Sequence, residues 1–146
     1  MSRTDCFYCK KDEQLTNLMI EICKMPSSIL YLNRDQTHKG RCIIAFHSHK
    51  RELFELSEIE LTSFMKDVSI AAEAIQKVFQ ADKINYAIYG DLVSHLHFHL
   101  VPKYKGKTEW GEAFVNSPES KVLLNNSENK QRIEAILDQL NITRGI

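Results

Sequence analysis

One run of alternating histidine and apolar residues restricts the fold of this chain more than any other feature. Residues 95–101 read HLHFHLV. Successive side chains of a β-strand point to opposite faces of its sheet, so a strand here places His95, His97 and His99 on one face and only apolar residues on the other. The apolar face can pack in a core while the opposite face presents a row of imidazoles. The sequence therefore predicts a strand at residues 95–101 that carries a candidate functional site.

The three histidines allow more than one kind of chemistry. Histidine accounts for 6 of the 146 residues, so three at alternate positions of one strand are improbable by chance, and buried imidazoles need hydrogen-bond partners. A neutral imidazole is a good nucleophile near pH 7, because its pKa lies close to that value. Two histidines at positions i and i+2 can also chelate one metal ion with a third ligand, as in a zinc hydrolase. The residues alone leave a nucleophilic mechanism and a three-histidine metal mechanism open.

The other β-prone segments precede the histidine run. Apolar runs occupy residues 18–24, 28–33, 41–46 and 83–89, and turn-forming residues separate them. The short turns favour antiparallel pairing of neighbouring strands. Together with residues 95–101, these segments predict a sheet of five strands.

A long helix is predicted between the third and fourth of these strands. Ser57 with Glu60 three residues later forms a capping box. Apolar residues then recur at helical spacing from Leu61 to Phe79. The apolar stripe is expected to pack on one face of the sheet, which predicts an α+β fold class.

The last third of the chain is more polar. Residues 103–126 predict an ordered loop or flap, and Ser127 is expected to cap a short helix with an apolar face. A length of 146 residues suits one domain. We therefore expect a single domain over residues 1–146, with a core at about 5–104 and a polar extension at 105–146.

The charge balance excludes some classes of partner. The 19 basic and 19 acidic residues give a formal net charge of zero, whereas binders of nucleic acid polymers or anionic membranes need a basic surplus. The sequence has no signal-peptide pattern and no apolar run of membrane-spanning length, which predicts a cytoplasmic protein. In that compartment the four cysteines (Cys6, Cys9, Cys23 and Cys42) are expected to be thiols or metal ligands rather than disulfides.

The histidine run resembles the signature of the histidine triad (HIT) family, in which three histidines alternate with apolar residues. Four further pieces are similar to motifs of that family and occur in its order, over about residues 5–104. They are Pro102-Lys103, the segment from Gly40 to Ile44 with His49, the pair Asn85-Tyr86 with Gly90-Asp91, and Cys6-Phe7-Tyr8-Cys9. The resemblance implies a five-stranded antiparallel sheet with one long helix, usually in a homodimer.

The resemblance also implies a reaction and its residues. Family members cleave at the α-phosphate of nucleotides such as dinucleoside polyphosphates and nucleoside phosphoramidates. His97 would attack the α-phosphorus and form a nucleotidyl-histidine, and His99 would bind the nucleotide and donate to a phosphoryl oxygen. Asn33 stands eight residues before Arg41, where the family binds the ribose hydroxyls, although an asparagine that ends a strand in a turn fits equally well.

A structural zinc ion is implied by the zinc-containing members of the family. In those members the first triad histidine joins a cysteine pair and an upstream histidine, which here gives Cys6, Cys9, His49 and His95. Two thiolates and two imidazoles form a closed tetrahedral set. The alternative is a Cys-x-x-Cys redox motif, which expects a thioredoxin-like βαβ context that the predicted elements do not provide.

Three positions depart from the family pattern. Arg41 stands where many members have histidine, and Leu92 stands where some have a serine that assists the leaving group. Asp91 stands where members commonly carry glutamine or asparagine facing the phosphates, and a carboxylate there repels a phosphate unless it is paired or turned away. Asp91 is therefore a candidate nucleotide contact, and a weakly catalytic nucleotide-binding protein is a third possible function.

Overall fold

The computed structural model describes residues 2–143 as an α+β fold on a five-stranded antiparallel sheet. The strands are β1 (Met19–Lys24), β2 (Ser28–Asn33), β3 (Cys42–Phe46), β4 (Lys83–Ile88) and β5 (His97–Lys103), in spatial order β1-β2-β3-β5-β4. The helices are α1 (Phe7–Lys10), α2 (Glu13–Leu18), α3 (Glu58–Phe79) and α4 (Asn126–Thr143), with short 3-10 turns at Arg3–Asp5 and Leu53–Glu55. The predicted fold class is confirmed. The ends of the predicted domain, Met1 and residues 144–146, lie outside the described residues.

The two faces of the sheet have different environments because β5 alternates as predicted. Its apolar residues pair with core positions of β3, as in Cys42 opposite Leu100, and they face α3. Its histidines pair with Ile43 and Ala45 on the opposite face. A smaller group of buried side chains from α1, β2 and β3 packs on that second face. The histidine row therefore lies on the side of the sheet opposite the long helix.

The long helix begins as its capping box predicts and braces the first hairpin. The backbone N–H of Glu60 donates to Ser57 Oγ at 3.2 Å, and the backbone N–H of Ser57 donates to Glu60 Oε1 at 2.9 Å. Asp67 is buried in the middle of α3, where its Oδ2 accepts from the backbone N–H of Ser27 at 2.8 Å and from Ser28 Oγ at 2.7 Å. The apolar face of the helix and this carboxylate fix the sheet against α3.

Strand β5 starts and ends later than predicted. His95 precedes the strand, and the strand continues through Pro102 to Lys103. Pairing with β3 ends at Leu100, so on that side no neighbouring strand requires the N–H that proline lacks.

The short helices α1 and α2 were not predicted. Asp12 caps α2 by accepting from the backbone N–H of Leu15 at 3.3 Å.

The C-terminal helix corrects two predictions. It is not short, since it runs for 18 residues, and its cap is Asn125 rather than Ser127. The backbone N–H of Glu128 donates to Asn125 Oδ1 at 2.8 Å, and that of Asn125 donates to Glu128 Oε1 at 3.1 Å. An asparagine is as good a cap as a serine, and Asn125 has the glutamate three residues later that completes the box. Ile136 and Leu140 are buried against the core.

The segment between β5 and α4 is irregular but ordered, as predicted. It lies against the loop between β2 and β3, where the backbone N–H of Gln36 donates to Val122 O at 2.8 Å. The side chain of His38 packs on this segment rather than extending into solvent, since it contacts Val115 O at 2.8 Å and Glu109 at 3.4 Å.

Within residues 2–143, the helices are too short or too polar to cross a membrane.

Gly40 offers a direct test of how tightly this loop packs on the helix. Its φ is +86°, and a Cβ there would lie 2.5 Å from Cδ2 of Phe79, which is buried at the end of α3. Gly40→Ala is expected to lower the free energy of unfolding by about 2–4 kcal/mol, combining backbone strain with overpacking. Gly106→Ala has a similar φ of +84° but nothing within 4 Å of the added atom, so it should cost about 1 kcal/mol. Urea denaturation of both variants measures the difference, and equal losses would contradict the packing argument.

Candidate functional site

A cavity of about 920 Å³ opens on the histidine face of the sheet. Its lining includes His97 and His99 from β5, Asn33 from the end of β2, and Asp91 from the segment after β4. These are the four residues that the sequence assigned to catalysis and nucleotide binding, and the structure brings them around one space. His95 is absent from the lining of this cavity, because its side chain belongs to a second cluster.

The hydrogen bonds of His97 define which ring nitrogen is available. Its Nδ1 lies 2.6 Å from the carbonyl oxygen of His95. A carbonyl only accepts, so Nδ1 carries the proton and Nε2 keeps a lone pair. Burial lowers the pKa of His97 and outweighs the opposing effect of the hydrogen bond to the His95 carbonyl. The ring is therefore held neutral, with an unprotonated nitrogen available for nucleophilic attack.

His99 occupies the neighbouring position on the same face. The ring centroids of His97 and His99 are 5.2 Å apart, and the ring of Tyr89 lies 5.6 Å from that of His99. Burial lowers the pKa of His99 to about 3, with smaller contributions from the charge of Arg41 and from His97. This ring also stays neutral near pH 7.

Arg41, which directly precedes β3, is buried beside His99. Its Nη2 lies 3.0 Å from His99 Nδ1 and donates to Asn116 Oδ1 at 2.8 Å, while Nη1 donates to the backbone oxygen of Asn116 at 2.8 Å. The guanidinium carbon lies 5.4 Å from the ring centre of Phe114. Burial lowers the pKa of Arg41, yet a guanidinium keeps its proton at any physiological pH. The sequence departure at this position thus places a fixed positive charge at the cavity.

A second cluster holds the four residues predicted as metal ligands. One donor atom from each of Cys6, Cys9, His49 and His95 lies within 4.8 Å of the others. His95 Nδ1 lies 3.4 Å from the sulfur of Cys6 and 3.5 Å from that of Cys9, and His49 Nδ1 lies 3.4 Å from the sulfur of Cys9. The cysteines reach this point from the start and the middle of the α1 turn. Two sulfurs and two nitrogens converge as ligands of one metal ion do.

The other ring nitrogen of His95 supports that arrangement. Its Nε2 lies 2.8 Å from the backbone oxygen of Phe46, so Nε2 carries the proton and Nδ1 presents a lone pair to the cysteines. Metal-ligating histidines commonly make such a second hydrogen bond, which fixes their tautomer. Burial is also the main cause that lowers the pKa of His95, to about 4.

Tyr8 lies between the cavity and the cluster of two cysteines and two histidines. Its ring centre lies 5.1 Å from that of His95 and 5.3 Å from that of His97. Burial raises the pKa of its phenol, so the group stays neutral. The position of Tyr8 between two cysteines was the only sequence signal that could have indicated this role.

The segment after β5 contributes residues that sequence reasoning missed. Asn116 and Leu123 line the cavity, and Asn116 and Phe114 hold Arg41. Leu123 and Leu92 form an exposed apolar rim, with 68% and 89% of their surfaces accessible. No local pattern predicts these contacts, since Asn116 meets Arg41 across 75 residues of sequence.

Comparison with known proteins places this geometry in a family context. The family model described as the HIT domain matches residues 16–106. An uncharacterized HIT-like protein from Methanocaldococcus jannaschii is 29% identical over 85 residues, which span 56% of this chain and 66% of that protein.

Solved structures of similar fold carry the same family name. A histidine triad protein from Marinobacter aquaeolei VT8 has a TM-score of 0.79 at 21% identity, covering 90% of this chain and 96% of that one. A zinc-bound histidine triad family protein from Mycobacterium smegmatis has a TM-score of 0.69 at 20% identity, covering 97% and 99% of the two chains. At these identities the likeness concerns the fold.

Proposed function

This chain belongs to the HIT domain family, and on that premise we propose that it is a nucleotide hydrolase or nucleotidyltransferase. It would cleave at the α-phosphate of dinucleoside polyphosphates or nucleoside phosphoramidates. The observation that carries the proposal is the arrangement of His97, whose protonated Nδ1 is bound to the His95 carbonyl and whose Nε2 is left as a nucleophile in the cavity.

The proposed reaction has two steps. The lone pair of His97 Nε2 attacks the α-phosphorus, the bond from phosphorus to the leaving group breaks, and the leaving group departs with the bonding electrons and takes up a proton from solvent. Water, or another acceptor in a transferase, then attacks the same phosphorus. The phosphorus–nitrogen bond breaks, its electrons return to Nε2, and the acceptor releases its proton to solvent. His99 lies beside His97 and would donate to a phosphoryl oxygen as negative charge develops.

Two further residues are proposed to contact the nucleotide. The Nδ2 of Asn33 donates to the backbone oxygen of Asp35 at 3.0 Å, which leaves its Oδ1 to accept from the ribose hydroxyls. Asp91 is exposed at the cavity. Because a carboxylate repels phosphate, Asp91 would accept from a hydroxyl or amine group of the substrate.

The hydrogen bonds favour this mechanism over a three-histidine metal site. Both ring nitrogens of His95 point to other partners, namely the cysteine sulfurs and Phe46 O. Across residues 2–143, the one group of at least three metal-type ligands that converges is the cysteine–histidine cluster, and it excludes His97 and His99. A weakly catalytic binding protein remains the second candidate, since Asp91 places a carboxylate at the cavity that would receive the phosphates.

Intact-protein mass spectrometry tests the covalent mechanism. After brief incubation with an AMP phosphoramidate, the wild-type protein should gain the mass of one adenylyl group. His97→Asn should show no adduct and lose turnover by a factor of about 10³ or more, because the nucleophile is gone.

His47→Asn is the matched control, since His47 is an exposed histidine outside this cavity. It should form the adduct as the wild type does. Turnover without any adduct would reject the covalent step, and binding with neither adduct nor turnover would favour the binding-protein candidate.

A structural zinc ion is proposed for the cysteine–histidine cluster. Tetrahedral bonds of about 2.3 Å to sulfur and 2.0–2.1 Å to nitrogen place such ligand atoms about 3.6 Å apart, close to the 3.4–3.5 Å separations of the thiols and imidazoles here. Four protein ligands leave no open position, so the ion would stabilise the fold rather than activate water. Reduced thiols are needed, which agrees with a cytoplasmic location.

Metal analysis tests the zinc proposal independently of activity. The purified protein should contain about one zinc per chain by elemental analysis, and Cys9→Ser should lose it together with several degrees of Tm, because structural zinc contributes to folding. His47→Asn should retain zinc and Tm. A wild-type protein that neither holds zinc nor gains stability when zinc is added would rule the site out.

A homodimer is proposed from the free edge of the sheet. Strand β4 is an edge strand, and its residues Tyr86 and Ile88 are 51% and 40% exposed. An uncovered edge with apolar side chains readily pairs with another chain. Association of two β4 strands would cover this surface.

Sedimentation equilibrium tests the dimer. The wild type should have about twice the mass of the chain, and Ile88→Lys should shift it toward the monomer by at least about 10-fold in dissociation constant, because the lysine charge would be buried in the interface. Ile142→Lys makes the same change at a 70% exposed position on α4 and should remain dimeric. A monomeric wild type would refute the proposal.

A further inference from the structure

A buried arginine contacts one histidine of the triad, and the other two histidines contact backbone carbonyls instead. Arg41 Nη2 lies 3.0 Å from His99 Nδ1, whereas His95 and His97 bind backbone carbonyls. We propose that Arg41 is a positioning residue that acts through His99, fixing it as the tautomer with its proton on Nε2. This inference rests on the proposed function, because it identifies what orients the hydrogen-bond donor of that reaction.

The chemistry of the guanidinium makes the contact one-directional. Arginine carries five N–H donors and no acceptor, so Nδ1 of His99 must supply the lone pair. A neutral imidazole has one ring proton, which therefore resides on Nε2. No residue from 2 to 143 accepts a hydrogen bond from that Nε2. The ring is thus prepared to donate to a phosphoryl oxygen in the cavity that it lines.

The identity of residue 41 matters for this effect. A histidine at this position could donate to His99 or accept from it, so it would permit either tautomer. An arginine can only donate. The departure from the family pattern noted in the sequence thus replaces an ambiguous partner by one that enforces a single protonation pattern.

The guanidinium itself is held in place by the segment after β5. The oxygen atoms of Asn116 accept from Nη1 and Nη2 at 2.8 Å each, so both hydrogens of Nη2 are used, one by Asn116 and one by His99. Phe114 covers the group at 5.4 Å. Within residues 2–143 no carboxylate lies within ion-pair distance of Arg41, and its buried Nε has no partner. A side chain present only for packing would not need a buried, unneutralised charge directed at a histidine.

Nuclear magnetic resonance of the free, ¹⁵N-labelled protein tests the tautomer directly. Long-range ¹H–¹⁵N spectra distinguish a protonated Nε2 from a protonated Nδ1, and His99→Gln identifies the signals of His99. The wild type should show one tautomer with the proton on Nε2. Arg41→Met, which removes the donor but keeps a long side chain, should populate the Nδ1-protonated form. Arg41→Lys keeps a cation that can only donate and should preserve the wild-type pattern.

Kinetics provide the second measurement. Arg41→Met should lower kcat about 10-fold or more with a smaller change in KM, while Arg41→Lys retains most of the activity, because the loss concerns a donor used in the transition state. If Arg41→Met does not fold, Asn116→Ala serves instead, since it removes the Oδ1 acceptor that orients Nη2 but keeps the backbone oxygen that binds Nη1. It should give the same mixture of tautomers in weaker form.

A wild-type His99 with its proton on Nδ1, or an unchanged tautomer in a folded Arg41→Met protein, would overturn the inference. The tautomer is read without substrate, so this result is separate from the adduct experiment on His97. A fixed Nε2 proton in a protein that forms no adduct rejects the proposed reaction but not the action of Arg41. An adduct in a protein whose His99 populates both tautomers would support the proposed reaction and reject the action of Arg41.

Discussion

The two-residue alternation of β5, held between β3 and β4, is the constraint on which the rest of the molecule depends. Leu100 pairs with Cys42 in the core, and His99 pairs with Ile43 on the opposite face. A shift of one residue in register would exchange the two faces and bury the imidazoles of His97 and His99 under α3. Core packing and site geometry are therefore enforced by the same ladder of hydrogen bonds. The helix that covers one face, braced through Asp67, secures the position of side chains on the other.

The three histidines are chemically identical residues to which the surrounding backbone and side chains give different properties. A carbonyl at Nε2 leaves His95 with a lone pair directed at the cysteines, and a carbonyl at Nδ1 leaves His97 with a lone pair in the cavity. An arginine at Nδ1 leaves His99 with a proton to donate. In the proposed mechanism, these partners decide which ring would bind a cation, which would attack and which would donate. The motif alone specifies the positions of the rings but not these differences.

Much of this architecture was predictable because it depends on local patterns. The alternation of histidine and apolar residues predicted β5, and the capping box predicted the start of α3. The order of cysteine and histidine motifs, which resembles that of the family, predicted the convergence of Cys6 with His95. The cap of α4 could also have been predicted, because Glu128 lies three residues after Asn125 and completes a capping box that Ser127 lacks. Contacts that depend on how a polar segment folds back were not predictable. Nothing local connects Asn116 to Arg41, since amide groups have no periodicity that reveals a distant partner.

The contribution of the segment after β5 to the cavity has a consequence for the order in which the protein matures during synthesis. The N-terminal cysteines leave the ribosome long before His95, the partner that completes their cluster. Arg41 likewise emerges well ahead of Asn116, which fixes its guanidinium. Because a domain generally folds as a unit, the cysteine–histidine cluster can be completed only after His95 has been synthesised, and the support of Arg41 only after Asn116. Synthesis must therefore proceed beyond β5 before the lining of the cavity is complete.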